Sequence, residues 1–342
     1  MKAVLFYKRG GLDQLVFADV PTPQVGASDV LVKMRACGLN HLDIFTREGS
    51  HGVRAPLPHI GGLEVAGEIV ELGSEVRDWK IGDRVLVGSA ITCGTCEFCV
   101  EGYDNICPHR KVIGVNIAGG FAEYICVPAS ILILIPGSLA FVQAAASPSA
   151  FGTAWHMLVS RAQIRAGEWV LVHAAGSNVG VAGIQIAKHF GCRVIATSST
   201  AEKLAKAQEL GADFVINYAE NNFAHRVMHI TNNRGVDVVF EHVGTTTWER
   251  SIASMHPTAR LVTCGSTTGR WGNTDVWSVF WKQLTILGSF GWNAREFYQV
   301  WDLITQGVFH PVVDRTFPLA ETAAAQQYLM DRKQFGKVLV VN

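Results

Sequence analysis

The second half of the chain constrains the fold most, because buried strands and helices alternate there. Six apolar runs of strand length occur in order: "EWVLVHAAG", "CRVIATSS", "FVIN", "VDVVFEHVG", "ARLVTCGS" and "LTILGSF". Helical patterns separate them. The helix after the first run ends at Gly191, and the next begins at a capping Thr200 and ends at Gly211. Strands that alternate with helices predict a parallel, doubly wound α/β sheet.

The first 150 residues follow another pattern, with short β-rich runs between Gly, Pro and Asp turns. Near the other end, a helical stretch, "ETAAAQQYLMDR", precedes a closing strand, "GKVLVVN". A chain of 342 residues can hold two domains with separate cores. We therefore predict a β-rich domain over residues 1–149, an α/β domain over 150–290, and a return to the first domain over 291–342.

Composition and charge argue against several classes of protein. Lys and Arg together number 29, as do Asp and Glu, so no overall field favours nucleic acid or an acidic membrane. The N-terminus shows no export signal, which indicates the cytoplasm, where thiols stay reduced. Residues 124–160 lack Asp, Glu, Lys and Arg, but prolines and glycines interrupt them. A buried connection between two domains is therefore a better interpretation than a membrane span.

The turn after the first apolar run, "HAAGSNVGVAG", suits a dinucleotide. Ala175, Ser177 and Gly180 take the three glycine places of the G-x-G-x-x-G pattern, so only the last is a glycine. The turn follows a strand and opens a helix, where backbone N–H groups and the helix dipole hold a pyrophosphate. The alternative is a tight β–α turn that binds no ligand. We expect the phosphates to lie at Gly176, Ser177, Asn178 and Val179.

The end of the second strand of this domain indicates which dinucleotide binds. An NAD site usually has Asp or Glu there for the ribose hydroxyls. This chain has Ser198 and Ser199, followed one helical turn later by Lys203, and Tyr218 follows the third strand. Hydroxyls and an ammonium suit a 2′-phosphate, so we predict NADPH. Taken alone, Lys203 is also compatible with an exposed helix lysine.

Four cysteines, Cys93, Cys96, Cys99 and Cys107, lie close together in the segment 92–109. Four thiolates on one loop can close a tetrahedron around Zn²⁺ and leave no open position, so the sequence predicts one structural zinc ion. Disulfides are the poorer interpretation in the cytosol, and an iron–sulfur cluster is a less common alternative.

The order of β-rich domain, four-cysteine lobe, nucleotide-binding fold and short return resembles the medium-chain dehydrogenase/reductase superfamily over essentially the whole chain. The resemblance implies a GroES-like catalytic domain and a Rossmann domain. Alcohol dehydrogenases of this superfamily carry a second, catalytic zinc, but Asn40, Leu63 and Ser149 stand at its three ligand positions here. The motifs "LNHLD" and "AAAS" resemble the zinc-free quinone oxidoreductase branch instead.

The resemblance and the missing ligands together imply an NADPH-dependent oxidoreductase for quinones or α,β-unsaturated carbonyls, whose activated acceptors need no metal. Asn40 is the leading catalytic candidate, although it could simply cap a turn. Without a catalytic metal ion beside it, Glu64 can be interpreted as a hydrogen-bonded acid in the protein core. Thr153 and His41 are further catalytic candidates. The nicotinamide is expected against Val243, Gly244, Gly265 and Ser266.

Two other functions remain open. One is an alcohol dehydrogenase with an unusual metal site, built from Cys37, His41, His59 or Glu64. The other is a non-catalytic NADPH-binding protein. The resemblance also implies a homodimer or a dimer of dimers that pairs through "LTILGSF". The stretch "WGNTDVWSVFW", residues 271–281, could line a pocket for ring substrates, lie in the core or contact a second subunit.

Overall fold

The computed structural model describes residues 1–342, which divide into two compact units. The first unit comprises Met1–Ser149 and His310–Asn342, and the second comprises Ala150–Phe309. No helix in either unit combines the length and the hydrophobicity that a membrane span requires. The uncharged segment 124–160 forms short strands and short helices instead.

The first unit is built mainly from β-strands. Its strands are β1 (Lys2–Phe6), β2 (Val16–Asp19), β3 (Asp29–Gly38), β4 (His59–Ile60), β5 (Glu64–Leu72), β6 (Arg84–Val87), β7 (Ala90–Ile91), β8 (Lys111–Val112), β9 (Tyr124–Pro128), β10 (Leu132–Leu134), and, after the second unit, β17 (Val313–Pro318) and β18 (Lys337–Val341). The largest sheet has the order β10-β6-β5-β3-β18-β17, with β9 also paired to β3. The C-terminal strand β18 therefore lies next to β3.

Helices of the first unit are short. They are α1 (His41–Glu48), α2 (Glu97–Val100), α3 (Phe141–Ala145) and the C-terminal α11 (Thr322–Met330). Short 3-10 turns complete the unit. Alternating apolar residues of β3, β5, β6 and β18 form one hydrophobic core with Phe121 and Leu329.

The second unit has a six-stranded parallel sheet in the order β13-β12-β11-β14-β15-β16. Its strands are β11 (Trp169–Val172), β12 (Arg193–Ser198), β13 (Phe214–Asn217), β14 (Val236–Glu241), β15 (Met255–Thr263) and β16 (Thr285–Gly288). This order is that of a doubly wound dinucleotide-binding fold, which confirms the predicted fold class.

Helices of the second unit connect these strands. They are α4 (Thr153–Trp155), α5 (Asn178–His189), α6 (Ala201–Glu209), α7 (Phe223–Ile230), α8 (Trp248–Ala253), α9 (Val276–Trp281) and α10 (Ala294–Thr305). Two π-helical segments, Pro148–Gly152 and His156–Arg161, flank α4. The strands β11, β12 and β14 are buried on both faces, as expected of central parallel strands.

The predicted division of the chain needs correction at its C-terminal end. The return to the first unit begins at His310 rather than at residue 291. Helix α10 accounts for the difference, because it packs within the second unit. Its Glu296 lies 2.8 Å from His156 Nδ1, and Val300 and Ile304 are buried. The amphipathic pattern of this helix did not indicate which unit would bury its apolar face.

The tryptophan-rich stretch 271–281 lies at the surface of the second unit. Trp271 is 77% exposed, and Trp277 and Trp281 of α9 are 63% and 71% exposed. The interpretation of this stretch as core is therefore wrong. The next strand along the chain, β16, is one of the two edge strands of the parallel sheet.

Candidate active site and zinc lobe

A buried carboxylate fixes the turn between β3 and α1 in the first unit. Asp43 accepts the backbone N–H of Asn40 at 2.7 Å through Oδ2, and that of Gly62 at 3.1 Å through Oδ1. Burial raises the pKa of Asp43 to about 7, although both hydrogen bonds act in the opposite direction. One aspartate thus satisfies an N–H group at the start of α1 and holds the loop between β4 and β5.

The Asn40 side chain lies against two charged groups. Its Nδ2 atom donates to Glu64 Oε2 at 2.7 Å, and its Oδ1 atom accepts from Lys337 Nζ at 2.9 Å. Asn40 is the N-cap residue of α1, which agrees with the alternative interpretation that it caps a turn. Its side-chain amide, however, forms hydrogen bonds with Glu64 and Lys337. The residue is half-buried.

Glu64 and Lys337 form an ion pair that is almost completely excluded from solvent, with side chains 0% and 1% exposed. The other carboxylate oxygen of Glu64 accepts the backbone N–H of Ser149 at 2.6 Å. Gly38 leaves space for the lysine, because a Cβ there would lie 2.5 Å from Lys337 Cε and 2.6 Å from the Ala145 carbonyl oxygen. Pairing the two charges is what allows both to be buried.

The three positions that the resemblance assigns to catalytic zinc ligands do not suit a metal ion. The Asn40 amide already contacts Glu64 and Lys337, and Leu63 has no donor atom. Ser149 Oγ is buried and has no hydrogen-bond partner in the protein. Amide and hydroxyl oxygens are poor zinc ligands, so this donor set does not fit a catalytic zinc ion.

The residues of the alternative metal site do not converge either. Only the four cysteines of the lobe form a group of three or more His, Cys, Asp or Glu residues whose ligand atoms lie together. Burial raises the pKa of Cys37 well above its usual value, which keeps this thiol neutral, and lowers the pKa of His59. Glu64, a third member, is paired with Lys337.

The four-cysteine lobe has the geometry of a zinc site. Sulfur atoms lie 3.9 Å apart for Cys93 and Cys99, 3.8 Å for Cys96 and Cys107, and 3.6 Å for Cys107 and Cys93. Thiolates around one tetrahedral Zn²⁺ are about 3.8 Å apart, given Zn–S bonds of about 2.3 Å. No disulfide joins these residues. Backbone N–H groups of Thr95 and Cys96 lower the pKa of Cys93 to about 5, which favours the ligating thiolate.

The predicted phosphate turn of the second unit joins β11 to α5. Ser177 is the N-cap residue of α5, and its hydroxyl accepts the N–H of Gly180 at 2.9 Å. Gly180 is required there, since a Cβ would lie 2.6 Å from the Ala174 carbonyl oxygen. The backbone N–H groups of Asn178 and Val179 lie in the first turn, where an α-helix offers them no internal partner. With Gly176 they form a suitable pyrophosphate cradle.

The residues predicted to choose the dinucleotide lie at the carboxyl ends of β12 and β13 and in the first turn of α6. Ser198 ends β12, and its carbonyl oxygen accepts the N–H of Tyr218 at 3.1 Å. Ser199 follows at the surface, and Lys203 lies in the first turn of α6. No carboxylate stands at the end of β12.

A buried acid organises the loop that contains Val243 and Gly244. Glu241, at the end of β14, accepts the N–H groups of these two residues at 2.6 and 3.1 Å. Burial alone would raise the pKa of Glu241. The pKa nevertheless lies below its usual value, because the charge interaction with His173 and the hydrogen bonds from these donors stabilise the carboxylate. Burial also lowers the pKa of His173, to about 4, so this imidazole is neutral at pH 7.

The loop after β15 is tied to the loop after β14. The Val243 carbonyl oxygen accepts both the N–H and the hydroxyl of Thr268 at 2.8 Å. Gly244 has a φ of +93°, and a Cβ on it would lie 2.5 Å from the Gly269 carbonyl oxygen and 3.0 Å from Ser266 Cα. Gly265 belongs to the same loop. The four residues predicted to frame the nicotinamide therefore lie in two connected loops at the carboxyl ends of neighbouring strands, where dinucleotides bind.

The two remaining catalytic candidates each begin a helix. His41 is the first residue of α1 and is half-buried. Thr153 begins α4 in the second unit, between the two π-helical segments, which are frequent at functional sites.

Lys337 and the hydrogen-bonding network of Glu241 were not found from the sequence. Lys337 is the first residue of the apolar strand "KVLVV". A lysine in such a strand indicates a buried ion pair, since a buried charge needs a partner. Its partner, however, lies 273 residues away in the chain. Glu241 offered a similar signal, as an acid at the end of a buried strand.

Comparison with known proteins agrees with this architecture. Residues 26–137 match the family "Alcohol dehydrogenase GroES-like domain", and residues 178–306 match "Zinc-binding dehydrogenase". The NAD-dependent alcohol dehydrogenase of Sulfolobus acidocaldarius is 30% identical over 99% of this chain and 97% of its own. The quinone oxidoreductase of Sus scrofa is 27% identical over 100% and 98%. The crystal structure of an NAD-dependent alcohol dehydrogenase superposes with a TM-score of 0.96 and 38% identity, and 100% of each chain is covered.

A doubly wound sheet with a phosphate turn, together with a β-rich unit that bears a four-cysteine lobe, defines a nicotinamide-dependent dehydrogenase or reductase. The chain belongs to the medium-chain dehydrogenase/reductase superfamily, as the sequence resemblance implied. It is accordingly an oxidoreductase.

Proposed function

We propose that this oxidoreductase reduces quinones or α,β-unsaturated carbonyl compounds with NADPH, without a catalytic metal ion. The observation that carries the proposal is the replacement of the metal ligands by Asn40, Leu63 and Ser149, beside a glutamate that Lys337 neutralises. Reducing an unactivated ketone calls for a strong electrophile on its oxygen, such as zinc. Conjugated acceptors spread the developing charge, and a hydrogen-bond donor can then suffice.

When bound, the dihydronicotinamide supplies the hydride. Residues of the chain hold the dinucleotide: the N-terminus of α5 takes the pyrophosphate, and the loops of Val243–Gly244 and Gly265–Ser266 orient the nicotinamide. Asn40 contacts the oxygen of the acceptor, and His41 and Thr153 are further catalytic candidates. The quinone oxidoreductase relative, similar over its whole length, supports this substrate class.

The preference for NADPH rests on Ser198 and Ser199, which replace an acid that would repel a 2′-phosphate, and on Lys203. Two relatives are NAD-dependent by name, so the preference needs a direct test. We expect a higher kcat/KM with NADPH than with NADH, and a shift towards NADH in Ser199→Asp. An equal kcat/KM for both dinucleotides would refute the preference.

The metal-free mechanism is tested by metal content and substrate range. We expect one zinc ion per chain, NADPH consumption with 1,4-benzoquinone and 2-cyclohexen-1-one, and no oxidation of simple alcohols. The relatives named alcohol dehydrogenases favour a zinc-dependent dehydrogenase as the second candidate. Two zinc ions per chain with alcohol oxidation would establish that candidate. Dinucleotide binding without turnover of any acceptor would favour a non-catalytic protein.

We also propose that the chain forms a homodimer through the outer edge of β16. This edge has no partner strand, and exposed edge strands readily pair with a second copy. Trp277, Phe280 and Trp281 of the preceding helix α9 are exposed, which is unusual for three large aromatic side chains so close in sequence. Asp275 is the only charged residue in 271–281, so little like-charge repulsion opposes self-association.

A further inference from the structure

We propose that Lys337 and Glu64 are positioning residues that fix the Asn40 amide in one orientation, so that a single N–H group is presented to the oxygen of the acceptor. The inference deepens the proposed function and rests on it. The three residues belong to the first unit and contact one another directly.

The hydrogen bonds determine which way the amide faces. Lys337 can only donate, so it selects the Asn40 carbonyl oxygen, and ionised Glu64 can only accept, so it selects the amide nitrogen. A flipped amide would place its NH₂ group against an ammonium and its oxygen against a carboxylate. Both contacts would be repulsive, so only one orientation is compatible with the ion pair.

The same contacts leave one donor unused. The NH₂ group of Asn40 has two hydrogens, and one of them points to Glu64 at a nitrogen–oxygen distance of 2.7 Å. The carbonyl oxygen is occupied by Lys337. The hydrogen bond at the start of α1 runs from the Asn40 backbone N–H to Asp43 Oδ2, so it does not use the Asn40 side chain. The remaining N–H of a half-buried residue is available to an acceptor oxygen.

The reduction requires such a donor. A conjugated acceptor gains a hydride at one end of its unsaturated system, and the displaced electron pair moves to the carbonyl oxygen. Oxidised nicotinamide and an enolate result, and the enolate takes a proton from water. A donor held in place before the reaction stabilises the negative oxygen without the cost of reorientation. An amide that rotates freely would lose part of this advantage.

A double-mutant cycle on kcat separates positioning from a structural role. One arm is Asn40→Ala, and the other is the paired replacement Glu64→Gln with Lys337→Met, which removes both charges together. With 2-cyclohexen-1-one and NADPH, we expect Asn40→Ala to lower kcat about 10²-fold, as loss of an oxyanion donor does. The paired replacement should lower kcat about tenfold when Asn40 is present, and less than about twofold in the Asn40→Ala background.

The matched control is the paired replacement Arg35→Met with Glu68→Gln. This ion pair joins the same two strands, β3 and β5, and makes no contact with Asn40. It should leave kcat unchanged. An equal loss of kcat from neutralising Lys337 and Glu64 in both backgrounds would overturn the inference, as would full activity of Asn40→Ala. A wild-type protein that reduces no enone or quinone would refute the proposed function itself, and the inference with it.

Discussion

Lys337 and Glu64 lie 273 positions apart in the sequence and form a buried ion pair in the first unit. The sheet explains how they meet: β18, which begins at Lys337, pairs with β3, and β3 pairs with β5, which begins at Glu64. The candidate active site is therefore complete only when the C-terminal segment returns to the first unit. The amide of Asn40 bridges the two charges.

Removing one partner of this pair should destabilise the protein strongly. Lys337→Met would leave the Glu64 carboxylate buried without a counter-charge, and we expect the free energy of unfolding to fall by about 3–5 kcal/mol. Urea denaturation of the purified variant measures the change.

Two variants test this explanation. The paired replacement Glu64→Gln with Lys337→Met should recover most of the loss, because no unpaired charge is then buried. Lys333→Met removes an exposed lysine four positions earlier and should change stability by less than about 1 kcal/mol. If the paired replacement is as unstable as Lys337→Met, the ion-pair explanation is incorrect.

Gly38 should be intolerant of even one additional methyl group. The Cβ of Gly38→Ala would lie 2.5 Å from Lys337 Cε and 2.6 Å from the Ala145 carbonyl oxygen, so the lysine or the backbone must move. We expect a loss of about 1–3 kcal/mol in unfolding free energy and a lower kcat. Gly137→Ala, in the same unit, meets no atom within 4 Å and serves as the control. Equal stability of the two variants would contradict the packing argument.

The parts of the site that are local in sequence could be predicted from it. The turn predicted to bind the phosphates is part of one continuous strand–turn–helix segment, and the structure has this segment between β11 and α5. The four cysteines lie within one loop, so their spacing already indicated a shared ion. In both cases the geometry depends on neighbours along the chain.

The parts that depend on distant pairing could not be predicted. The sequence predicts that the closing strand returns to the first domain, but it does not indicate that β18 pairs with β3 and brings Lys337 to Glu64. Helix α10 shows the same limit, because its apolar face is visible in the sequence but the unit that buries it is not. Contacts such as these depend on tertiary packing rather than on local pattern.

The stability of the first unit should depend on pH through Asp43. Its pKa is about 7 when folded and 3.8 in the absence of structure, so the folded state binds this proton more tightly. A carboxyl group whose pKa is raised by folding contributes stability at pH values below its unfolded-state pKa. This contribution is lost as the pH rises through its folded-state pKa. The stability of the wild-type protein relative to Asp43→Asn should thus fall between about pH 4 and pH 7 and stay level above. Urea unfolding across this range gives the difference, and a value that rises with pH would contradict the prediction.

Zinc should be lost when a lobe cysteine is replaced. Cys107→Ser removes one of four converging sulfur atoms, and we expect lower zinc content by elemental analysis and a lower Tm, since structural zinc contributes directly to folding. Cys126→Ser lies outside the lobe, with its sulfur atom near the Gln24 carbonyl oxygen, and should retain zinc. Full zinc content in Cys107→Ser would show that the zinc ion is bound elsewhere.

The proposed dimer should dissociate when charge is introduced at the exposed aromatic surface of α9. Trp277 and Trp281 stack on each other with ring centroids 6.0 Å apart, and both are mostly exposed in a single chain. Trp277→Glu would bring two like charges to a two-fold interface, and burying them is costly. Light scattering after size-exclusion chromatography should show a dimer for the wild-type chain and a monomer for the variant. Phe214→Glu, on the edge strand β13 at the opposite side of the same sheet, should remain dimeric. A monomeric wild-type chain, or dissociation by Phe214→Glu alone, would show that β16 is not the interface.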